Sequence, residues 1–311
     1  MMLSDFGFLL VLVLVGVTPL LSSGPEEMFT VERGCYIFNH LAKAGGTTVS
    51  AILRKWVRAK PNMYELRYDT ENWVKGTKYA EEVTDQMEDV SVIYGGYPEA
   101  LRPYVGDDCK WFTLFRHPVT RLVSAYFYCK TAQYDQCCAT MAVNSREVDL
   151  KTFAKHWSDY ALRQFALSFV LPDLVLESET ARKCKECPGW YLVKTYMEER
   201  THEELRSGIY ELLGPSQELL ESNYTAVGIL ERMNSTTHLY NAALQMPELD
   251  WIKAFKKQGV VNKASESSPE RARLLESTWL DVDILKTLEL DILLYDYAVS
   301  VHEAQVAEYV R

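Results

Sequence analysis

Short apolar runs alternate along this chain with stretches whose apolar residues recur every three or four positions, and that alternation predicts its elements. Cys35–Phe38, Met63–Tyr68, Val90–Tyr94, Trp111–Phe115 and Ala226–Leu230 read as strands. Helical spacing marks Thr47–Val57, Val119–Cys129, Leu150–Phe169, Glu203–Leu213, Thr236–Leu244, Pro269–Leu275 and Ile292–Tyr309. Strands that alternate with helices specify an α/β fold, a P-loop-like central parallel sheet flanked by helices in a single domain. In such a sheet the ligand belongs at the carboxyl ends of the strands.

The N-terminus breaks this pattern. Phe6–Leu21 is almost continuously apolar, interrupted by Gly16 and Pro19, and Ser22-Ser-Gly-Pro-Glu-Glu27 follows. The run is short for a membrane span, which needs about twenty apolar residues, and Asp5 precedes it with no lysine or arginine. Residues 1–24 are therefore read as a signal peptide or signal anchor, attached to the membrane if uncleaved, and 25–311 as the domain. About 285 residues at 48% apolar and 12% aromatic content suffice for one α/β core. The formal charge of −10 argues against a nucleic-acid binder but not against an acidic substrate, which responds only to charge around the cleft.

Candidate chemistry begins where the first strand meets the first helix, at Asn39-His-Leu-Ala-Lys-Ala-Gly-Gly-Thr-Thr48. Glycines let backbone amides approach phosphate oxygens, and a helix start presents unpaired N–H groups at the positive end of its dipole. Lys43 adds an ammonium, and Thr47 and Thr48 add hydroxyls. A nucleotide-triphosphate P-loop places its lysine after the last glycine; here the lysine comes first.

A second unit follows about seventy residues later, at Trp111-Phe-Thr-Leu-Phe-Arg-His-Pro-Val-Thr-Arg-Leu-Val-Ser-Ala-Tyr126. Arg116 stands at a strand end, Pro118 suits the first turn of a helix, and Ser124 lies two turns in. Arginine and serine together can hold one phosphate by a charged fork and a hydroxyl.

The order Lys-x-Gly-Gly-Thr-Thr resembles the 5′-phosphosulfate loop of the carbohydrate sulfotransferases, and Arg116 to Tyr126 resembles their 3′-phosphate motif. Ala226-Val-Gly-Ile-Leu-Glu-Arg-Met233 and Asp291-Ile-Leu-Leu-Tyr-Asp-Tyr-Ala298 are similar to the family's late strand and closing helix, so the likeness spans roughly residues 34 to 306. It departs from the family at Ala42 and Ala44, where proline and threonine are usual, and the stretch Cys129–Asn223 has no counterpart. The resemblance implies 3′-phosphoadenosine 5′-phosphosulfate (PAPS) as donor and a hydroxyl of a glycan as acceptor. It places Lys43, Ala44, Gly45, Gly46, Thr47, Thr48, Arg116 and Ser124 around the nucleotide, with Lys43 also stabilising the leaving phosphate and no metal required. It also implies residence in the Golgi lumen as a type II membrane protein, with secretion after cleavage as the alternative.

An acceptor hydroxyl needs a general base. Many relatives carry Gly-His after the third strand, whereas this chain has Gly95-Gly-Tyr-Pro-Glu99. Glu99 is the first candidate and His40 the second. His117 would sit by the 3′-phosphate, and His156, His202, His238 and His302 read as solvated or core residues. Two other functions compete: a lumenal relative that binds nucleotide or glycan without catalysis, and a P-loop kinase or NTPase.

Seven cysteines and two sequons bear on the compartment. Cys129, Cys137, Cys138, Cys184 and Cys187 are expected to form two disulfides with one thiol over, in unspecified pairing; zinc on these thiolates is the weaker reading. Asn223-Tyr-Thr225 and Asn234-Ser-Thr236 fit the glycosylation triplet.

Overall fold

The computed structural model describes residues 34–60, 63–69, 72, 90–132, 135, 138, 143–167, 210–259 and 268–310. Five parallel strands form its centre: β1 (Tyr36–Asn39), β2 (Tyr64–Arg67), β3 (Val90–Gly95), β4 (Lys110–Phe115) and β5 (Ala226–Ile229), in the order β2-β3-β1-β4-β5. All five expected strands are present, each within a residue or two of the expected ends. The described residues all fall within one compact unit, residues 31–311.

Alternation along the strands sorts side chains onto two faces. Ile37, Ile93, Trp111, Phe115, Val227 and Ile229 share one core cluster with Leu162 and Phe165 of α4 (Tyr160–Leu167), Leu220 of α5 (Leu213–Asn223) and Leu290 and Leu294 near the chain's end. The opposite cluster joins Tyr36, Phe38, Val92, Phe112 and Leu114 to α1 (Gly46–Arg58). In α1 the buried pairs Thr48/Val49, Ile52/Leu53 and Trp56/Val57 recur every four residues, which gives the helix one face to lay on the sheet. Both sheet faces are thus covered, as a parallel sheet requires.

The remaining α-helices among the described residues are α2 (Pro118–Thr131), α3 (Leu150–Trp157), α6 (Met233–Leu239), α7 (Trp251–Gln258), α8 (Pro269–Leu280), α9 (Val282–Thr287) and α10 (Glu289–Tyr309). Two expectations are corrected, and a third falls mostly outside the described residues. The single helix expected over Leu150–Phe169 is two, because Asp159 takes a left-handed φ of 49° and its carboxylate accepts the Leu290 and Asp291 amides that open α10. Asp291 reciprocates, accepting the Ala161 and Leu162 amides that open α4, and it pairs with buried Arg121. The helix expected over Glu203–Leu213 lies mostly outside the described residues, and α5 starts at Leu213; Gly214-Pro215 sits inside its first turn, where proline is tolerated. The helix from Pro269 runs on to Leu280, and α9 follows, capped by Asp281.

Strand β5 stands at the edge of the sheet, and side chains occupy its outward backbone groups. Gln305 Oε1 accepts from Val227 N at 2.8 Å, His302 Nδ1 lies 2.8 Å from Val227 O, and Thr236 Oγ1 bonds both Ile229 N and Ile229 O. His302 is thereby a buried structural histidine, and desolvation lowers its pKa.

Two disulfides are formed among the described residues. Cys129–Cys138 joins α2 to the segment after it, within the group expected to pair; Cys137, Cys184 and Cys187 lie outside the described residues. Cys35–Cys109, which the sequence reading did not anticipate, ties the residues just before β1 and β4, where Lys110 N also donates to Cys35 O at 2.8 Å. Such bonds belong to an oxidising, secretory-type environment. Among the described residues no helix is long and apolar enough to cross a membrane, and the Phe6–Leu21 run lies outside them.

Candidate active site

A cavity of about 1250 Å³ lies at the carboxyl end of the sheet, lined by residues that follow every strand. β1 occupies its centre, with β3 on one side and β4 on the other, so the chain leaves it toward opposite edges. That is the switch point at which an open parallel sheet leaves a crevice.

After Asn39 the chain is pinned before it turns. His40 N donates to Gly95 O at 2.7 Å, and Thr113 Oγ1 donates to Asn39 O at 2.9 Å. The turn then passes through two left-handed residues, Lys43 at φ 62° and Gly45 at φ 89°, and α1 begins at Gly46. A non-glycine residue there costs about 1 kcal/mol, so the surrounding bonds hold Lys43 in place. Gly46 is required by packing instead: a Cβ would lie 2.0 Å from His40 Cδ2. No side chain caps α1 among the described residues; Thr48 N donates back to Gly45 O at 3.0 Å, which leaves the Gly46 and Thr47 amides as the first-turn donors beside the cavity-lining Gly45, Thr47 and Thr48. Of the other loop residues expected to touch nucleotide, Ala44 is buried in the core and Gly46 lies against the His40 ring; neither lines the cavity.

Gln164 of α4 holds this turn from across the cavity. Its Nε2 donates to His40 O at 2.8 Å and to Gly96 O at 3.1 Å, while its Oε1 accepts from Ala42 N at 2.9 Å. One buried amide therefore ties the β1 loop to the β3 loop. Nothing local in the sequence marks it.

The second unit meets the first at the far side of the turn. Arg116 leaves β4 and donates from Nη1 to Lys43 O at 3.3 Å and from Nε to Thr120 Oγ1 at 3.1 Å. His117 caps α2, its Nδ1 accepting from Val119 N at 3.3 Å, with Pro118 as the first helical residue. Ser124 also lines the cavity, and Tyr128, one turn on, places its ring 3.4 Å from Lys43 Nζ. Arg121 turns away to Asp291. Glu231, after β5, accepts from His117 N at 3.0 Å, Thr120 Oγ1 at 3.2 Å and Tyr295 OH at 3.1 Å, which fixes the start of α2 beside Arg116.

The two base candidates separate. The Glu99 side chain is fully buried, bidentate to Arg102 at 2.7 and 3.1 Å and hydrogen-bonded by Tyr224, and it does not line the cavity. Tyr224 also accepts from Asn39 Nδ2 at 2.9 Å, so Glu99 belongs to a network that supports the end of β1. Burial and the neighbouring Glu99 carboxylate raise the Tyr224 pKa well above its ordinary value. His40 does line the cavity. Desolvation lowers its pKa to about 4, against the opposing pull of Asp69, so it is neutral at physiological pH. Asp69, which accepts from Gly96 N at 3.1 Å and pairs with Arg67, and Asp135 are further lining carboxylates that the sequence reading passed over.

Four cations, Lys43, Arg54, Arg67 and Arg116, line this cavity against the carboxylates Asp69, Asp135 and Glu231. The balance is cationic in a chain of formal charge −10, which suits an anionic ligand. No family model matches this chain, and no curated protein matches it.

Proposed function

We propose that this protein is a sulfotransferase that moves a sulfuryl group from PAPS to a glycan hydroxyl. The observation that carries the reading is the hydrogen bond from Arg116 to the Lys43 carbonyl, which unites the two phosphate-type motifs in one cavity. A ligand with phosphates on both sides of a ribose needs two anion sites within one cavity. Uncapped amides with Thr47, Thr48 and Lys43 form one, and Arg116 with Ser124 forms the other.

PAPS would supply an activated sulfuryl group: its bond to the 5′-phosphate oxygen breaks as one forms to the acceptor oxygen, and the acceptor proton leaves to a base. Lys43 and the α1 amides stabilise charge on the departing phosphate. His40, neutral and cavity-facing, receives the proton; its low pKa makes it a weak base, so binding and alignment carry most of the rate. The rest of the cavity, with Tyr94, Tyr97 and Tyr160 in its lining, accommodates the sugar. The oxidising environment of the disulfides agrees with residence in the Golgi lumen.

A second reading, a nucleotide- or glycan-binding relative without turnover, draws support from the burial of Glu99 away from the cavity. Transfer of labelled sulfate from PAPS to a glycan panel separates the two. Adenosine 3′,5′-bisphosphate should bind without magnesium, and Lys43→Ala and Arg116→Ala should each weaken binding by about tenfold or more and abolish transfer. Tight binding with no turnover on any acceptor favours the second reading. Wild-type affinity in both variants, or binding only of magnesium ATP, overturns the nucleotide assignment.

A further inference from the structure

We infer that Asn223 and Asn234 both carry N-linked glycans, and that the one on Asn234 is attached before β5 and α6 pack. Both asparagines are exposed, at the end of α5 and in the first turn of α6. The other two positions of each triplet are held by the fold. Tyr224 is buried and bonded to Glu99 and Asn39, and Thr225 N donates to Trp111 O at 2.8 Å. In the second triplet Ser235 Oγ donates to Arg232 O, and Thr236 is fully buried with its hydroxyl bonded to both Ile229 N and Ile229 O.

The triplet is read through the hydroxyl of its third residue as well as through its asparagine. At Asn234 that hydroxyl is committed to the edge of β5, so the transferase can engage the triplet only in the unpacked chain. The asparagine itself stays exposed after packing, so a glycan added early is accommodated in the final fold. The reaction joins the asparagine amide nitrogen to the anomeric carbon of a lipid-diphosphate-linked oligosaccharide. The bond from that carbon to the diphosphate oxygen breaks, the amide loses a proton, and the lipid diphosphate leaves. The disulfides place the chain in the compartment type where this donor is used. Met233 and Glu231 line the cavity, so the Asn234 glycan stands beside its rim.

The test is expression through a eukaryotic secretory route, then peptide mass mapping after amidase release of glycans in heavy-oxygen water. Conversion of both asparagines to labelled aspartate is expected, with one glycan's mass lost in each of Asn223→Gln and Asn234→Gln. Unmodified asparagine as the main species at either position overturns the assignment. For the order of events, unglycosylated folded protein and its reduced, unfolded form are offered to microsomal membranes carrying the transferase and its lipid donor. Modification of Asn234 in the unfolded form alone is expected; equal modification of the folded form overturns the inferred order.

Discussion

The guanidinium of Arg116 donates to the main-chain carbonyl of Lys43 across 3.3 Å, although 73 residues separate them. That carbonyl is presented by a left-handed residue at the tip of the β1–α1 turn, so the second motif braces the strained point of the first. The geometry of either turn is therefore coupled to that of the other.

Gly46 should not tolerate a side chain. Gly46→Ala places a methyl against the His40 ring, where 2.0 Å separates the two positions, and overpacking of this kind costs about 1–3 kcal/mol. A denaturation midpoint equal to wild type would show that the ring moves aside freely.

Glu99 is expected to act on stability rather than on the transfer step. Glu99→Ala leaves Arg102 and the Tyr224 hydroxyl without their shared acceptor, a loss of about 1–3 kcal/mol. Folded variant at low temperature should keep nucleotide affinity and turnover within a few-fold of wild type. Unchanged stability with abolished turnover would restore Glu99 as the base.

His40 gives the protein a pH dependence of defined sign. Its pKa is about 4 in the fold and 6.5 when unfolded, so between these values the unfolded chain binds a proton that the folded chain does not. Stability from this group is complete above about pH 6.5, declines as pH falls toward 4, and levels off below. Urea midpoints measured across this window should show a shallower decline in His40→Asn than in wild type; parallel curves would contradict the assignment.

Asp291 anchors three elements at once. Asp291→Ala removes the partner of Arg121, whose Nε and Nη1 make no hydrogen bonds among the described residues, and also uncaps α4. Removing one member of a buried pair costs about 3–5 kcal/mol. Thermal unfolding should show a marked loss, and Asp291→Asn should recover part of it by accepting the Leu162 amide through its single side-chain oxygen.

Both strand–turn–helix units were legible because each is local. A strand, a turn and a helix start occupy consecutive residues, and the donors they present follow from glycine, lysine and the helix terminus without reference to the rest of the chain. The five strands were legible for the same reason, since a short apolar run is its own signal. What escaped were contacts between distant segments: Gln164 on His40 across 124 residues, Asn39 on Tyr224 across 185, and the Cys35–Cys109 bond across 74. Glu99 illustrates the difference, because its position just after β3 suggested a cavity-facing carboxylate, while Arg102 and Tyr224 turn it inward.

The sequence by itself determined an α/β sheet and the two donor-rich turns at its carboxyl end, since periodicity and turn chemistry act over a few residues. Only the tertiary structure decided that Lys43 and Arg116 share a cavity, that His40 faces it while Glu99 does not, and that Thr236 closes the sheet edge. Those outcomes depend on strand order and on which helix packs against which face, and these arise from burial of the whole chain rather than from any local pattern.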